Sequence, residues 1–94
     1  MLDKISVILP TYNEKDNIMP LIMAVHKELL SYEHEIIVVD DNSSDGTYQT
    51  VSNAKLPFAK AILREHDRSL AKSIRCGLEN ASGKVFVIMD SDFN

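Results

Sequence analysis

The side chains of this chain best suited to chemistry are carboxylates, and three short stretches hold the informative ones. Asp90-Ser91-Asp92 sets two acids at i and i+2 directly after the β-branched run Val85 to Met89. Asp40-Asp41 closes Glu35-Ile36-Ile37-Val38-Val39, and Pro10-Thr11-Tyr12-Asn13-Glu14 follows Ile5 to Leu9. Two carboxylates so spaced suit a hard divalent cation, which takes oxygen ligands and leaves positions for a bound diphosphate. Ser91 is small enough to let a ribose or phosphate approach. Asp41 can accept hydrogen bonds from N–H groups on the Watson–Crick edge of uracil or guanine. Tyr12 can pack against a base or ribose, as amphipathic aromatics do at ligand sites.

These groups need elements to position them. Ile5 to Leu9, closed by Pro10, reads as a first strand. A helix follows, capped by Asp16 or Asn17, with Ile18, Leu21, Ile22, Val25 and Leu29 at helical spacing. Pro20 is expected in its first turn, where the missing N–H costs nothing. Glu35 to Val39 is a second strand, apolar enough to be covered on both faces. The polar turn Asp40 to Thr47 leads to a short helix through about Ala54, and Ala61-Ile62-Leu63 is a brief third strand. Leu70, Ile74, Gly77, Leu78 and Ala81 mark a helix ended near Gly83. Val85 to Met89 reads as a fourth, buried strand. Strand and helix alternate throughout, which predicts an α/β, Rossmann-like parallel sheet of about four strands with helices on both faces.

In a parallel sheet all strand C-termini share one edge, where open α/β sheets bind ligands. Glu14, Asp40, Asp41, Asp90, Asp92 and Tyr12 therefore gather at a single rim. With Asp41 and Asp90 two strand spacings apart, roughly 10 Å separates them, about the reach from a nucleobase to its diphosphate. Like charges so collected repel unless a cation or hydrogen-bond donors intervene. The flanking polar residues read more plainly. Asp40 complements a helix N-terminus, Asp45 caps the short helix with Gly46 and Thr47 shaping the turn, and Asn13 bonds its own loop. Arg64, Arg68, Lys72 and Arg75 read as a charged helix face. His26, His34 and His66 lack metal-ligand spacing and read as surface residues, whereas Met19 and Met23 read as packing at the edge of the first helix's apolar stripe.

Composition bounds the possibilities. Ninety-four residues, 45% hydrophobic and 26% charged, suit one small globular domain or part of a larger one. A net charge of −4 offers no footprint for nucleic acid. No stretch approaches the roughly 18–20 apolar residues of a membrane span, and the N-terminus does not read as a signal peptide. Cys76 stands alone, so no internal disulfide forms and a cytoplasmic setting is the expectation. Its helix-pattern neighbours make it a small buried or half-buried residue.

The same three stretches, Ile5 to Glu14, Ile36 to Thr47 and Asp90-Ser91-Asp92, resemble family 2 glycosyltransferases of the GT-A fold, closest to the dolichol- or polyprenyl-phosphate sugar synthases. The resemblance covers essentially the whole chain. It implies that residues 1–94 are the nucleotide-sugar-binding subdomain, the N-terminal half of a GT-A fold, cut after the metal motif. It also implies a UDP- or GDP-linked sugar donor and Mg²⁺ or Mn²⁺. Carried over by position, Pro10, Tyr12, Glu14, Val39 and Asp41 line the nucleoside pocket. Asp90 and Asp92 bind the metal and the donor diphosphate, Ser91 sits beside the ribose, and Asn94 lies near the metal. The family's catalytic carboxylate and acceptor-binding parts are expected beyond Asn94, so the chain alone is expected to be inactive. A full-length relative is expected at the cytoplasmic membrane face. Arg68-Ser69-Leu70 departs from the family pattern, which has a glycine-containing turn there.

Two other readings compete. A non-catalytic nucleotide-binding or oligomerising module would associate through an unpaired sheet edge and uncovered apolar face. A phosphoacceptor signalling domain is another small acidic α/β fold, but its acid pair follows the first strand rather than the second.

Overall fold

The computed structural model describes residues 3–90. Four strands, β1 (Ile5–Thr11), β2 (His34–Asp40), β3 (Ala59–Leu63) and β4 (Val85–Ile88), alternate with helices α1 (Lys15–Glu28), α2 (Thr47–Ala54) and α3 (Leu70–Glu79). The strands form one parallel sheet in the order β3-β2-β1-β4. This is the doubly wound order that reverses beside the first strand, not the 2-1-3 order of phosphoacceptor domains. The Rossmann-like α/β fold expected from the alternation is the fold observed.

The period-two alternation of the central strands splits the core in two. Val7, Leu9, Ile36 and Val38 face Ile18, Ile22, Val25 and Val51 of α1 and α2. Ile8, Ile37 and Val39 face the other way, with Cys76 of α3 half-buried against them. Helices thus cover both faces. Each fully buried aliphatic side chain contributes on the order of 1.5–3 kcal/mol, and these central strands supply most of them. On the α3 face the approach is very close: a Cβ at Gly77 would lie 2.4 Å from Ile8 Cγ2 and 3.2 Å from Val39 Cγ2. Only the missing side chain lets α3 lie directly on β1 and β2.

Several boundaries differ from the sequence expectation for identifiable reasons. β1 runs through Pro10 to Thr11 rather than stopping at Leu9. Thr11 directs its carbonyl to β2, bonding Asp41 N at 3.0 Å, and Ile8 directs its carbonyl to Met89 N of the β4 side at 3.0 Å. By alternation the Pro10 nitrogen faces the β4 side, beyond the last β1–β4 pair at Ile8 and Ile88, where no ladder bond is required. β2 and β3 each begin earlier than expected, since His34 pairs with Ile5 and Ala59 with Ile36.

α1 starts at Lys15, so its N-cap is Glu14, not Asp16 or Asn17. The Glu14 carbonyl takes the N–H groups of Asn17 at 3.0 Å and Ile18 at 2.9 Å. Pro20 therefore falls inside the helix, past its first turn, and forgoes one bond on an exposed face. Gly83 does not end α3, which is closed by Asn80. Its Cβ would meet Lys4 O at 2.6 Å and Ser6 Oγ at 2.5 Å, so glycine is required by contact with β1. β4 is not the buried strand its composition suggested: Val85, Phe86, Val87 and Ile88 are 39–49% exposed. It lies at the sheet edge beside β1, and cover from the described helices does not extend over it. Met19 packs on the core as expected, whereas Met23 is exposed.

The end of the sheet opposite the rim is tied by Glu35. Its Oε2 accepts Ser6 Oγ at 2.6 Å, Ser82 N at 2.6 Å and Ser82 Oγ at 3.1 Å, joining β1, β2 and the α3–β4 loop. Burial pushes this carboxyl up, but the Ser6 and Ser82 hydrogen bonds, with Lys4 beyond, hold it below its usual range. His26 and His34 are not simple surface residues. Their Nδ1 and Nε2 atoms lie 2.8 Å apart and His26 stacks on Phe58, centroids 3.5 Å apart.

Candidate functional site

At the C-terminal edge of the sheet a cavity of about 330 Å³ is lined by Pro10, Thr11, Tyr12, Glu14, Asp41, Arg68, Leu70, Ser73 and Asp90. The strand order reverses between β1 and β4, so Pro10 and Asp90 flank the crevice where doubly wound sheets take ligands. One strand, β1, separates Asp41 from Asp90, the two-spacing arrangement that their positions in the sequence imply. Of the expected site residues, Pro10, Tyr12, Glu14, Asp41 and Asp90 share this wall. Ser91, Asp92 and Asn94 lie outside the described residues.

Val39 is not among the residues lining that cavity. It is fully buried and packed beneath Gly77, because alternation along β2 points it into the α3-side core rather than onto the cavity wall. Far from serving a helix end, Asp40 is wholly buried and accepts Thr11 Oγ1 at 2.7 Å, Ser43 N at 2.9 Å and Ser43 Oγ at 2.6 Å. It binds the ends of β1 and β2 to the loop that follows.

That loop is stapled to the one after β1. Asn13, at φ 53°, donates its N–H to Ser43 Oγ at 2.7 Å and accepts Ser44 N at 3.0 Å, so it bonds the neighbouring loop and not its own. Asp45 accepts the Thr47 hydroxyl and its N–H at 3.0 Å, and Lys15 N at 3.1 Å. It therefore serves two helix N-termini, with left-handed Gly46 (φ 94°) turning the chain into α2. Burial raises the Asp45 carboxyl, but the Thr47 and Lys15 hydrogen bonds outweigh it and hold the group below its usual range. Glu14 is nearly buried; its N–H bonds Thr47 Oγ1 at 3.0 Å and its carboxylate accepts Asn17 Nδ2 at 3.3 Å.

Asp41 is the most constrained acid on the wall. Oδ1 accepts Arg64 Nη1 at 2.8 Å and Oδ2 accepts the Ser69 N–H at 2.8 Å. A carboxylate has about four lone-pair sites, so acceptor capacity remains for a ligand donor. Arg68 lies over the Tyr12 ring, 4.0 Å from its centroid, and donates Nε to Asp41 O at 3.1 Å. The charged-helix-face expectation therefore fails for both arginines, which precede α3. It holds for Lys72, paired with Asp67, and for Arg75, 3.9 Å from Glu79. The family's expected glycine turn is replaced by an ordinary cap. Ser69 Oγ accepts Lys72 N at 3.2 Å, and the left-handed position falls on Asp67 (φ 62°).

The wall residues missed by the sequence reading are Thr11, Arg68, Leu70 and Ser73. Ser73 and Gly77 are the small residues of α3's inward face, a helical-spacing signal available in the sequence. The chemistry on offer is an aromatic face, a clamped acceptor carboxylate and, across β1, the exposed carboxylate of Asp90. Among the described residues no three metal-ligating side chains cluster. A cation here would therefore rest on one or two carboxylates and on oxygen supplied by a ligand, which is the habit of Mg²⁺ at phosphate sites.

Known proteins are similar to this chain in sequence and fold. Dolichol-phosphate mannosyltransferase of Pyrococcus furiosus is 41% identical over 91 residues, covering 95% of this chain and 26% of that protein. The Saccharomyces cerevisiae protein of the same name is 37% identical over 92 residues, covering 93% of this chain and 34% of its own length. A mannosyltransferase from Pyrobaculum calidifontis, solved with GDP-Man and Mn²⁺, superposes with a TM-score of 0.84 at 27% identity, over 98% of this chain and 28% of that one. Glucosyl-3-phosphoglycerate synthase from Mycobacterium tuberculosis, solved with Mn²⁺, UDP and glucosyl-3-phosphoglycerate, superposes at 0.79 and 25% identity, over 96% and 34%. The chain thus spans about a quarter to a third of the length of these relatives. Residues 6–94 match the profile of glycosyl transferase family 2, and the chain belongs to that family.

Proposed function

We propose that residues 1–94 form the donor-binding part of a glycosyltransferase that uses a UDP- or GDP-linked sugar. The observation that carries this reading is the single cavity joining Pro10, Tyr12 and Glu14 of the β1 end with Asp41 and Asp90. Tyr12 packs against the nucleoside, Asp41 accepts a base N–H, and Asp90 with Asp92 holds Mg²⁺ or Mn²⁺ against the donor diphosphate. Ser91 stands beside the ribose. The cation, when bound, neutralises charge on the departing nucleoside diphosphate. An acceptor oxygen forms the new bond to the anomeric carbon as the bond to the diphosphate oxygen breaks. The likeness to dolichol-phosphate mannosyltransferases supports a polyprenyl phosphate as acceptor and work at the cytoplasmic membrane face. No helix of the described residues is long and apolar enough to cross a membrane.

Thermal unfolding tests the binding claim. Mn²⁺ with GDP or UDP at about a hundred times its Kd is expected to add about 2.7 kcal/mol of stability. Asp92→Asn is expected to abolish that gain. No shift with either nucleotide at millimolar concentration overturns the proposal. A second reading, an oligomerising module, is favoured by the exposed apolar run Val85 to Ile88 on the edge strand. It requires a mass in solution that rises with concentration, and light scattering that finds a constant monomer removes it.

A further inference from the structure

Arg64 is half-buried; it lines not this cavity but a smaller one of about 170 Å³, which it shares with Asp41, Asn42 and Arg68. Its own N–H donates to Asp40 O at 2.8 Å, extending the β2–β3 pairing by one residue and bringing its side chain alongside Asp41. Both terminal nitrogens of the guanidinium then bond protein acceptors. Nη1 reaches Asp41 Oδ1 at 2.8 Å and Ser73 Oγ at 3.4 Å; Nη2 reaches the carbonyls of Asp67 at 3.2 Å and His66 at 3.4 Å. The pair is nearly dry, with side-chain exposures of 14% for Arg64 and 8% for Asp41.

Only Asp41 of this pair faces the cavity. Its two oxygens are gripped from different elements, Oδ1 by Arg64 after β3 and Oδ2 by the Ser69 N–H that starts α3. A carboxylate held at both oxygens has no freedom to rotate, so its remaining lone pairs point in fixed directions. Recognition by a pre-oriented acceptor avoids the ordering entropy that a mobile side chain must lose on binding. The nearby acids Glu65 and Asp67 are exposed, and Asp67 is served by Lys72 instead. Arg64 is thus committed to the one acid of its neighbourhood that a ligand in the cavity can reach.

We propose that Arg64 is a positioning residue: by clamping Asp41 it sets how selectively the pocket reads a nucleobase, without itself touching the nucleotide. The inference rests on the donor-binding reading above.

Calorimetric titration of the 94-residue chain with Mn²⁺ and GDP, UDP or inorganic pyrophosphate tests it, pyrophosphate serving as the base-free probe. The wild type is expected to prefer one nucleoside diphosphate over the other and over pyrophosphate. Arg64→Gln is expected to erase roughly 10- to 100-fold of that preference while leaving pyrophosphate affinity within about twofold. Arg64→Lys, which keeps the charge and loses the fork, should fall between. In an Asp41→Asn background, Arg64→Gln should change base preference no further, because the arginine acts through that carboxylate. This double variant also removes the uncompensated buried charge, so it serves if Arg64→Gln alone fails to fold. Retained base preference in Arg64→Gln, a parallel loss for pyrophosphate, or a further tenfold loss in the double variant overturns the inference alone. A wild type that binds none of the three probes overturns the donor-binding reading and this inference with it.

Discussion

Gly77→Ala should destabilise the protein even though alanine is the better helix former. The added Cβ would sit 2.4 Å from Ile8 Cγ2, whereas ordinary contacts begin near 3.4 Å, so about 1 Å must be found. Ile8 cannot supply it cheaply. Its Cγ2 hangs on a stiff β-branched carbon, and β1 is pinned between β2 and β4. The helix must move instead, and overpacking of this kind costs about 1–3 kcal/mol. Replacing glycine in a helix interior returns up to about 1 kcal/mol. The net loss reaches about 2 kcal/mol, against a total stability of about 5–14 kcal/mol for a chain this long. At about 4–8 °C per kcal/mol, a loss of about 2 kcal/mol lowers Tm by roughly 8–16 °C. Ile8→Ala removes the obstructing methyl group, so the double variant should lose at least about 1 kcal/mol less than the sum of the two single losses. Paired urea and thermal denaturation measure all three. A Gly77→Ala protein as stable as wild type, or strictly additive losses, would show that α3 does not lie where the packing argument needs it. The same shift should reach the site, since α3 carries the Ser69 N–H at its start.

Asp40→Ala strips the acceptor from the Thr11 hydroxyl and from both donors of Ser43. It should cost about 3 kcal/mol or more in urea denaturation, while Asp16→Ala on the exposed face of α1 should stay within about 0.5 kcal/mol; equal losses would refute the internal role of Asp40. Stability should also decline in acid. The Glu35 and Asp45 carboxyls are held below their ordinary values of 4.5 and 3.8, so the unfolded chain takes up protons first as pH falls. Their contribution is complete above those values and disappears as pH drops through the lower folded values. Glu35→Gln with Asp45→Asn should flatten the urea midpoint between pH 5 and 2 (a window of about three units), and an unchanged slope would count against both networks.

The sheet was legible because apolar β-branched runs and helical spacing repeat cleanly, and because strand ends place their polar residues on one rim. The misread features share a cause: each depends on what a neighbouring strand does. Pro10 reads as a stop until the short β4 ladder makes its missing N–H harmless. Val85 to Ile88 reads as buried until the strand order puts it at an edge. Gly83 reads as a helix terminator until the Lys4 carbonyl is seen against it. Arg64 and Arg68 join Lys72 and Arg75 in a linear charge run, and nothing local distinguishes residues placed before α3 from those on it. Asp41, legible as an acceptor, gave no sign that two protein donors already hold it.

Protein donors at Asp41 also alter the electrostatics of the rim. The sequence suggests several like charges needing an external cation, yet the protein supplies much of the compensation itself. Asp40 takes three donors from Thr11 and Ser43, and Asp41 takes a guanidinium and a helix-start N–H. Glu14 lies beside Asn17 at the first turn of α1, where an N-terminus favours negative charge. Hydrogen bonds thus meet the charge of these three acids, of which Glu14 and Asp41 line the cavity and Asp40 is wholly buried. Asp90 stands across β1 at the exposed end, and its partner in the motif is the acid Asp92. The proposed cation belongs on the Asp90 side of the rim, against the donor diphosphate. Removing Mn²⁺ should then weaken diphosphate binding far more than binding of the nucleoside alone, and equal losses for GDP and guanosine, or for UDP and uridine, would contradict that division.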